Sequence, residues 1–348
     1  MTPTFALAAL LAAQAPATPA PTTSGPEESR HLANVRQVTY GFAKAGEGYW
    51  RPDGQAIIFQ AVPPVPVSVF HTPAPNPDDY QIYTADLAKD ATPRLVSTGL
   101  GQCTCSYYHP DGKSILFASS HLDPNPAGPK SPAYSRTERY KWEFPKGMDI
   151  FKADLDGKNL VRLTDAPGYD AEGSYSPDGS KIVFTSFRDG NAEIYIMDAD
   201  GKNARRITNK PGYDGGPFFS PDGKRIVYRS DRKDNDLLQI FINNLDGTAE
   251  KALTDNEHVN WGPSFHPDNK HLIYATSRHG HGNYELYLMD VDTGTEERIT
   301  YREGFDGLPV FSPDGKRLLW TSSGRTTDRK SQLFLADFTL DPAATAAR

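Results

Sequence analysis

Six times along this 348-residue chain a short, uninterrupted apolar run follows the same kind of turn signal. The copies read YWRPDGQAIIFQ, YYHPDGKSILFAS, SYSPDGSKIVFTS, FFSPDGKRIVYRS, SFHPDNKHLIYATS and VFSPDGKRLLWTS. Runs that are continuous rather than alternating predict strands buried on both faces. Pro at the second turn position presets φ, and Gly after Asp supplies a positive φ, so each copy predicts a tight hairpin. In the fifth copy Asn269 stands in the glycine position, and Asn is the next residue to tolerate that conformation. A further strand is expected after each copy, in YQIYTADL, MDIFKADL, AEIYIMDA, LQIFINNL, YELYLMDV and SQLFLADF.

Short closing segments end most units: PRLVS, VRLT, RRIT, KALT and ERIT. Their last residues, Ser97, Thr164, Thr208, Thr254 and Thr300, each lie fourteen residues before the next turn aspartate, and Thr39 stands in the same relation to Asp53. The sixth unit has no closing segment after it, whereas VRQVT at the other end of the chain is a closing segment without a unit. Strands in fours, repeating at about 45 residues, predict an all-β, six-bladed β-propeller of four-stranded antiparallel blades. An N-terminal strand within residues 34–39 is expected to complete the last blade beside Gln332 to Asp337. A two-sheet sandwich explains neither the constant spacing nor the permuted strand.

This architecture places every length irregularity on one face. Between second and third strands the first unit inserts VPPVPVSVFHTPAPNPDD and the second HLDPNPAGPKSPAYSRTERYKWEFPKG, with shorter extras SDRKDND, SRHGHGN and SGRTTDRK in later units. Variable loops on a rigid scaffold are where binding residues concentrate. Tyr134, Tyr140, Trp142 and Phe144 in the long insertion offer either an aromatic lid or anchors that pack the loop onto the blades.

The fixed spacing also aligns positions around the axis. Six residues after each closing segment stand Ala45, Cys103, Asp170, Asp214, Asn260 and Asp306, expected to ring the mouth of the channel; Trp261 follows Asn260. Two positions on are Glu47, Cys105, Glu172, Gly216, Gly262 and Leu308. Carboxylates so arranged call for neutralisation. One answer is a hard cation such as Ca²⁺ held by Asp170, Asp214 and Asp306. Another is arginine from the rim, where Arg188, Arg232, Arg278 and Arg325 lie. A third is a local turn hydrogen bond made by each aspartate. His279 and His281 in RHGHGN read either as a metal-binding pair or as solvated loop residues.

With 37 basic and 44 acidic residues the chain is acidic overall, and it has no Lys/Arg-rich run, so nucleic acid is not an expected partner. Residues 1–17 read as an export signal, with an apolar stretch Phe5–Ala13 too short to span a bilayer and small residues after it. Residues 18–33 read as a Pro/Thr/Ser linker, 34–340 as the propeller and 341–348 as a tail. The cysteines, Cys103 and Cys105, read as two small packed residues rather than a strained bridge. No GxSxG, HExxH or phosphate loop is present.

The copies YSPDGSKIVFTS, FSPDGKRIVYRS and FSPDGKRLLWTS, with EIYIMDADGKNARRIT and ELYLMDVDTGTEERIT after the third and fifth units, resemble TolB-like propeller repeats over residues 34–338. The resemblance implies a periplasmic propeller whose face binds a protein; TolB itself binds the peptidoglycan-associated lipoprotein. In place of the α/β domain ahead of TolB's propeller, a linker precedes the first strand here. Propellers of this kind also precede the catalytic domain of prolyl oligopeptidase-like enzymes and form oligogalacturonate lyases, whose metal channel is lined by His where this ring is mainly Asp and Asn. The expectation is a monomeric, periplasmic or secreted, non-catalytic scaffold for a protein, peptide, glycan or small ligand. The alternative is a carbohydrate- or peptide-processing lyase or hydrolase using channel carboxylates with or without a metal.

Overall fold

A computed structural model describes residues 25–63, 79–88, 92–123, 144–233 and 237–340. The export signal, the first part of the linker, most of both long insertions with Tyr134, Tyr140 and Trp142, and the tail lie outside these ranges.

The described residues form six four-stranded antiparallel sheets, as the repeat predicts. Their inner strands are Lys44–Trp50, Cys103–Tyr108, Asp170–Tyr175, Asp214–Phe219, Asn260–Phe265 and Asp306–Phe311, numbered here as blades 1 to 6. Blade 3 continues outward through Lys181–Ser186, Glu193–Asp198 and the short Arg205–Arg206. The hairpin between inner and second strands follows from its turn chemistry. Gly54, Gly112, Gly179, Gly223 and Gly315 have φ between 67° and 73°, and Asn269 has 62°. The turn aspartate accepts from the amide two residues on, as Asp178 does from Ser180 at 3.0 Å.

Leu32–Gln37 is the outer strand of blade 6, pairing antiparallel with Gln332–Phe338 through Leu32↔Phe338 and Gln37↔Phe334. The strand begins two residues earlier than the expected boundary, and Gly25–His31 ahead of it docks on the ring rather than trailing as a linker. The ring thus closes by hydrogen bonds between the two ends of the described chain, leaving no long free edge.

The core lies between blades. Val183, Ile194 and Ile196 of blade 3 pack against Phe219, Ile226, Tyr228 and Phe241 of blade 4, and the pattern recurs around the ring. Each fully buried large apolar side chain contributes roughly 2 kcal/mol.

The fourteen-residue spacing has a physical cause in the closing hydroxyl. Ser97, Thr164, Thr208, Thr254, Thr300 and Thr39 each accept the amide of the second residue of a third strand at 2.8–3.0 Å. In every blade but the fourth the same hydroxyl donates to the side chain of that strand's first residue, as Thr208 does to Glu193 at 2.5 Å and Thr39 to Gln332 at 2.8 Å. The hydroxyl locks the outer strand to the third strand in one register, so its position along the chain cannot drift. Among the described residues no helix is long and apolar enough to cross a membrane.

Candidate functional site

The expected mouth ring is not at the mouth. Cys103, Asp170, Asp214, Asn260 and Asp306 are the first residues of inner strands and are no more than 1% exposed. Their side chains point into the seams between blades, toward the first residue of the preceding blade's third strand. These third-strand residues are Gln81, Asp149, Glu193, Gln239, Glu285 and Gln332, all buried.

Charge is matched seam by seam. Where the third strand opens with an acid, the outer strand supplies arginine two residues before the closing hydroxyl: Arg162–Asp149 at 2.6 Å, Arg206–Glu193 at 2.5 Å and Arg298–Glu285 at 2.9 Å. The facing aspartate has its own arginine: Arg188–Asp170 at 3.0 Å, Arg232–Asp214 at 2.6 Å and Arg325–Asp306 at 3.6 Å. Where the third strand opens with Gln, the outer-strand position holds Leu95, Ala252 or Gln37, and the facing residue is Cys103, Asn260 or Ala45. Burial pushes the Asp149, Asp170, Asp214 and Asp306 carboxyls above their ordinary range and Glu285 up to about 7, with the guanidiniums opposing.

The arginine alternative raised by the sequence therefore describes Asp170, Asp214 and Asp306. These aspartates lie in separate seams, and among the described residues no three His, Cys, Asp or Glu side chains come together as a metal site. A cation shared by the three does not fit this placement. Arg325, expected on the rim, has a side chain with no exposed surface, and Arg278 pairs with Glu296 at 2.6 Å rather than reaching the ring. His279 shares a hydrogen bond with Tyr287 at 2.9 Å and stacks on its ring, while His281 is exposed and packs beside Tyr284. Phe144 packs against Tyr169, Phe187 and Tyr213, as an anchor does.

The channel is lined instead by the residues two positions on. Glu47, Cys105, Glu172, Gly216, Gly262 and Leu308 all have φ between 51° and 60°. Each is the extra residue of a bulge that breaks the ladder between inner and second strands, as between Ala171 and Ser174. A bulge re-aims the side chain, here toward the axis. Blades 1 to 3 thus present Glu, Cys and Glu; blades 4 to 6 present Gly, Gly and Leu, each followed by a proline (Pro217, Pro263, Pro309). The unpaired bulge is where a strand tolerates proline.

Arg229 enters this half-polar channel from the second strand of blade 4. Its ladder equivalents are Gln60, Ala118, Thr185, Ala275 and Thr321, so it is the repeat's one cation there. It pairs with Glu172 at 2.6 Å and donates to the Tyr213 hydroxyl at 3.1 Å, with the Trp261 ring 5.9 Å away. Glu172 also accepts from Thr185 (2.6 Å), Tyr213 (2.9 Å) and the Gly216 amide (2.8 Å). A Cβ on Gly216 would collide with the guanidinium, so the glycine makes the crossing possible. Glu47 receives the Tyr49 hydroxyl at 3.2 Å and the Cys105 thiol, and burial holds its carboxyl up at about 7. Burial likewise raises the Cys105 thiol well above its ordinary range and Cys103 to about 12; both cysteines are free, and neither is activated as a nucleophile.

Deeper along the inner strands Tyr49, Tyr107 and Phe218 meet with ring centres 5.2–6.4 Å apart. The cavity left beside them has a volume of about 20 Å³ and is bordered by Glu47, Cys105, Glu172, Arg229, Leu308 and Val310. That is room for about one water. Sequence reasoning placed Glu47 and Glu172 near the axis and missed Arg229. The signal was present in RIVYRS, where the other copies carry Gln, Ala or Thr in the arginine's position.

The class is therefore a six-bladed β-propeller closed by its N-terminal strand, with an axis filled by its own side chains. A profile of the Tricorn protease N-terminal β-propeller domain matches residues 143–239, and one of the TolB β-propeller domain matches 234–339. The repeats are those of a TolB-like propeller. The Tol-Pal system protein TolB of Bordetella pertussis is 49% identical over 39 residues, which are 11% of this chain and 9% of that protein. A TolB-type structure from Agrobacterium tumefaciens superposes with a TM-score of 0.59 at 22% identity, covering 85% of this chain and 91% of the other. TolB of Acinetobacter baumannii gives 0.56 at 22% identity, covering 87% and 66%. Identities this low establish the fold and leave activity and partners open.

Proposed function

We propose that this protein is a non-catalytic binding scaffold of the periplasm that holds a protein or peptide across the face carrying its long insertions. The observation that carries this reading is the filled axis. Its side chains leave a cavity of about 20 Å³, and Glu172, Tyr213 and Arg229 satisfy one another. A sugar or peptide substrate needs several hundred Å³. The carboxylates that a channel enzyme would use are held by arginines or hydroxyls, which weighs against a lyase or hydrolase. Both insertions leave from the ends of second strands, Val62 and Ser119, and return at Gln81 and Asp149, on the same face. The export reading of residues 1–17 and the TolB-like repeats support a periplasmic location.

The test is cross-linking capture from periplasmic extract, with wild type beside variants in which residues 64–78 or 124–143 are replaced by short Gly/Ser linkers. One partner retained by wild type and lost from a variant of unchanged melting temperature is the expected result. Equal recovery from all three, or none from any, overturns the reading.

A further inference from the structure

The seam between blades 5 and 6 differs from that between blades 2 and 3 by a guest. Between blades 3 and 4 the further acids, Glu250 on Arg232 and Asp189 on Arg206, are partly exposed and belong to those blades themselves. A short turn, Glu28–Arg30, stands just ahead of the closing strand, and Glu28 is only 3% exposed. Its carboxylate accepts from Arg325 Nη2 at 2.6 Å and from the Tyr301 amide at 2.9 Å. Asp306 lies 3.6 Å from the same guanidinium, and Glu285 is held opposite by Arg298 and Thr300. Arg325 lies over the Trp320 ring, and its Nε and Nη1 are buried with no hydrogen-bond partner. Near the turn, Glu297 meets Arg30 at 3.2 Å and His31 at 3.1 Å. Three carboxylates (Glu28, Glu285, Asp306) thus face two guanidiniums (Arg298, Arg325). Between blades 2 and 3 the count is two against two, Asp149 and Asp170 with Arg162 and Arg188.

We propose that Gly25–His31 is a proton-controlled latch: Glu28 docks between blades 5 and 6 together with one proton, and loss of that proton releases the turn while Leu32–Gln37 stays zipped to blade 6. With every acid ionised the seam holds one excess negative charge shielded from water, an arrangement that is costly without a partner. One bound proton restores balance. The groups that can take it are identifiable: burial first, then the facing Asp306, holds Glu285 up at about 7. Burial also raises Asp306, and the Glu28 charge adds to it. Docking brings in the third carboxylate and so favours uptake of a proton. The docked state is then complete at acid pH and weakens as pH climbs through 7.

Hydrogen exchange on the full-length protein, corrected for intrinsic rates, tests this at about pH 5.5 and about pH 8. Wild type should lose at least about tenfold of its protection over residues 25–31 and at the Tyr301 amide across that interval, while residues 32–37 keep theirs. Glu285→Gln should stay protected at both pH values, because the excess charge is gone. Glu28→Gln leaves two acids against two arginines and should show no pH dependence, which decides the matter if Glu285→Gln fails to fold. Equal wild-type protection at both pH values, or the same loss persisting in either variant, overturns the latch.

Discussion

Carboxylates at the blade seams and carboxylates on the axis are compensated differently. Between blades 2 and 3 each of the two facing acids has its own arginine. Between blades 3 and 4 each facing acid is also held by one, with Arg232 shared with Glu250 and Arg206 with Asp189 nearer the surface. On the axis Glu47 and Glu172 share the single Arg229, and Glu172 holds it. The seam acids act as fasteners, because a matched buried pair is nearly indifferent to conditions near neutral pH. Glu47 has neutral donors, the Tyr49 hydroxyl and the Cys105 thiol, so its burial appears as a proton held at neutral pH. The contrast teaches that burial raises the Asp149, Asp170, Asp214 and Glu47 carboxyls alike, and that they differ in how far a neighbouring guanidinium opposes it.

Breaking the axis pair should have the largest effect. Arg229→Met leaves Glu172 buried without its cation and should cost about 4 kcal/mol in urea unfolding, most of it recovered in Arg229→Met/Glu172→Gln. A single-variant cost below about 1 kcal/mol would show that the pair is incidental. The next effect is pH. Glu47 holds its proton to about 7 in the folded ring against an ordinary 4.5, so the folded state is favoured below the lower value and loses that advantage as pH rises through the upper. Glu47→Gln should therefore flatten a decline of up to about 3 kcal/mol between those values, read as melting temperature against pH. A parallel decline in the variant removes Glu47 as the cause.

The seams should respond less, and reversibly by design. Arg206→Leu strands Glu193 and should cost about 2 kcal/mol, whereas Glu193→Gln/Arg206→Leu, which copies the Gln81/Leu95 solution of blade 1, should lie within about 1 kcal/mol of wild type. If the double variant is no better than the single, the matching of acid and arginine is coincidence. The smallest effect calibrates a site without charge: Asn269→Ala at φ 62° should cost about 1 kcal/mol, with Asn269→Gly near neutral.

Much of this molecule was legible before its coordinates. Blade count, strand order, the turn residues with positive φ and closure by the N-terminal strand all follow from spacing and turn chemistry, because these are local or periodic constraints. The acid–arginine matching also left a trace that the repeat reading did not use: Asp149 and Arg162, Glu193 and Arg206, and Glu285 and Arg298 are each thirteen residues apart. What the spacing misassigned was direction. It aligned Asp170, Asp214, Asn260 and Asp306 correctly with one another, yet expected them at the channel mouth.

By itself, then, the sequence determined the repeat, its closure and which residues are equivalent, since hydrogen-bond registers and turn conformations are set by neighbours along the chain. Only the tertiary structure decided which equivalent position meets the axis and which meets the next blade. A single bulge residue in the left-handed region switches the side-chain direction, and nothing in Glu47, Cys105 or Leu308 as residue types announces it. The same holds for Arg229 and Glu28. Each finds its partner across a gap of tens to hundreds of residues, at Glu172 and Arg325. The first pair exists because blades 3 and 4 stack, the second because closure brings the two ends of the described chain together.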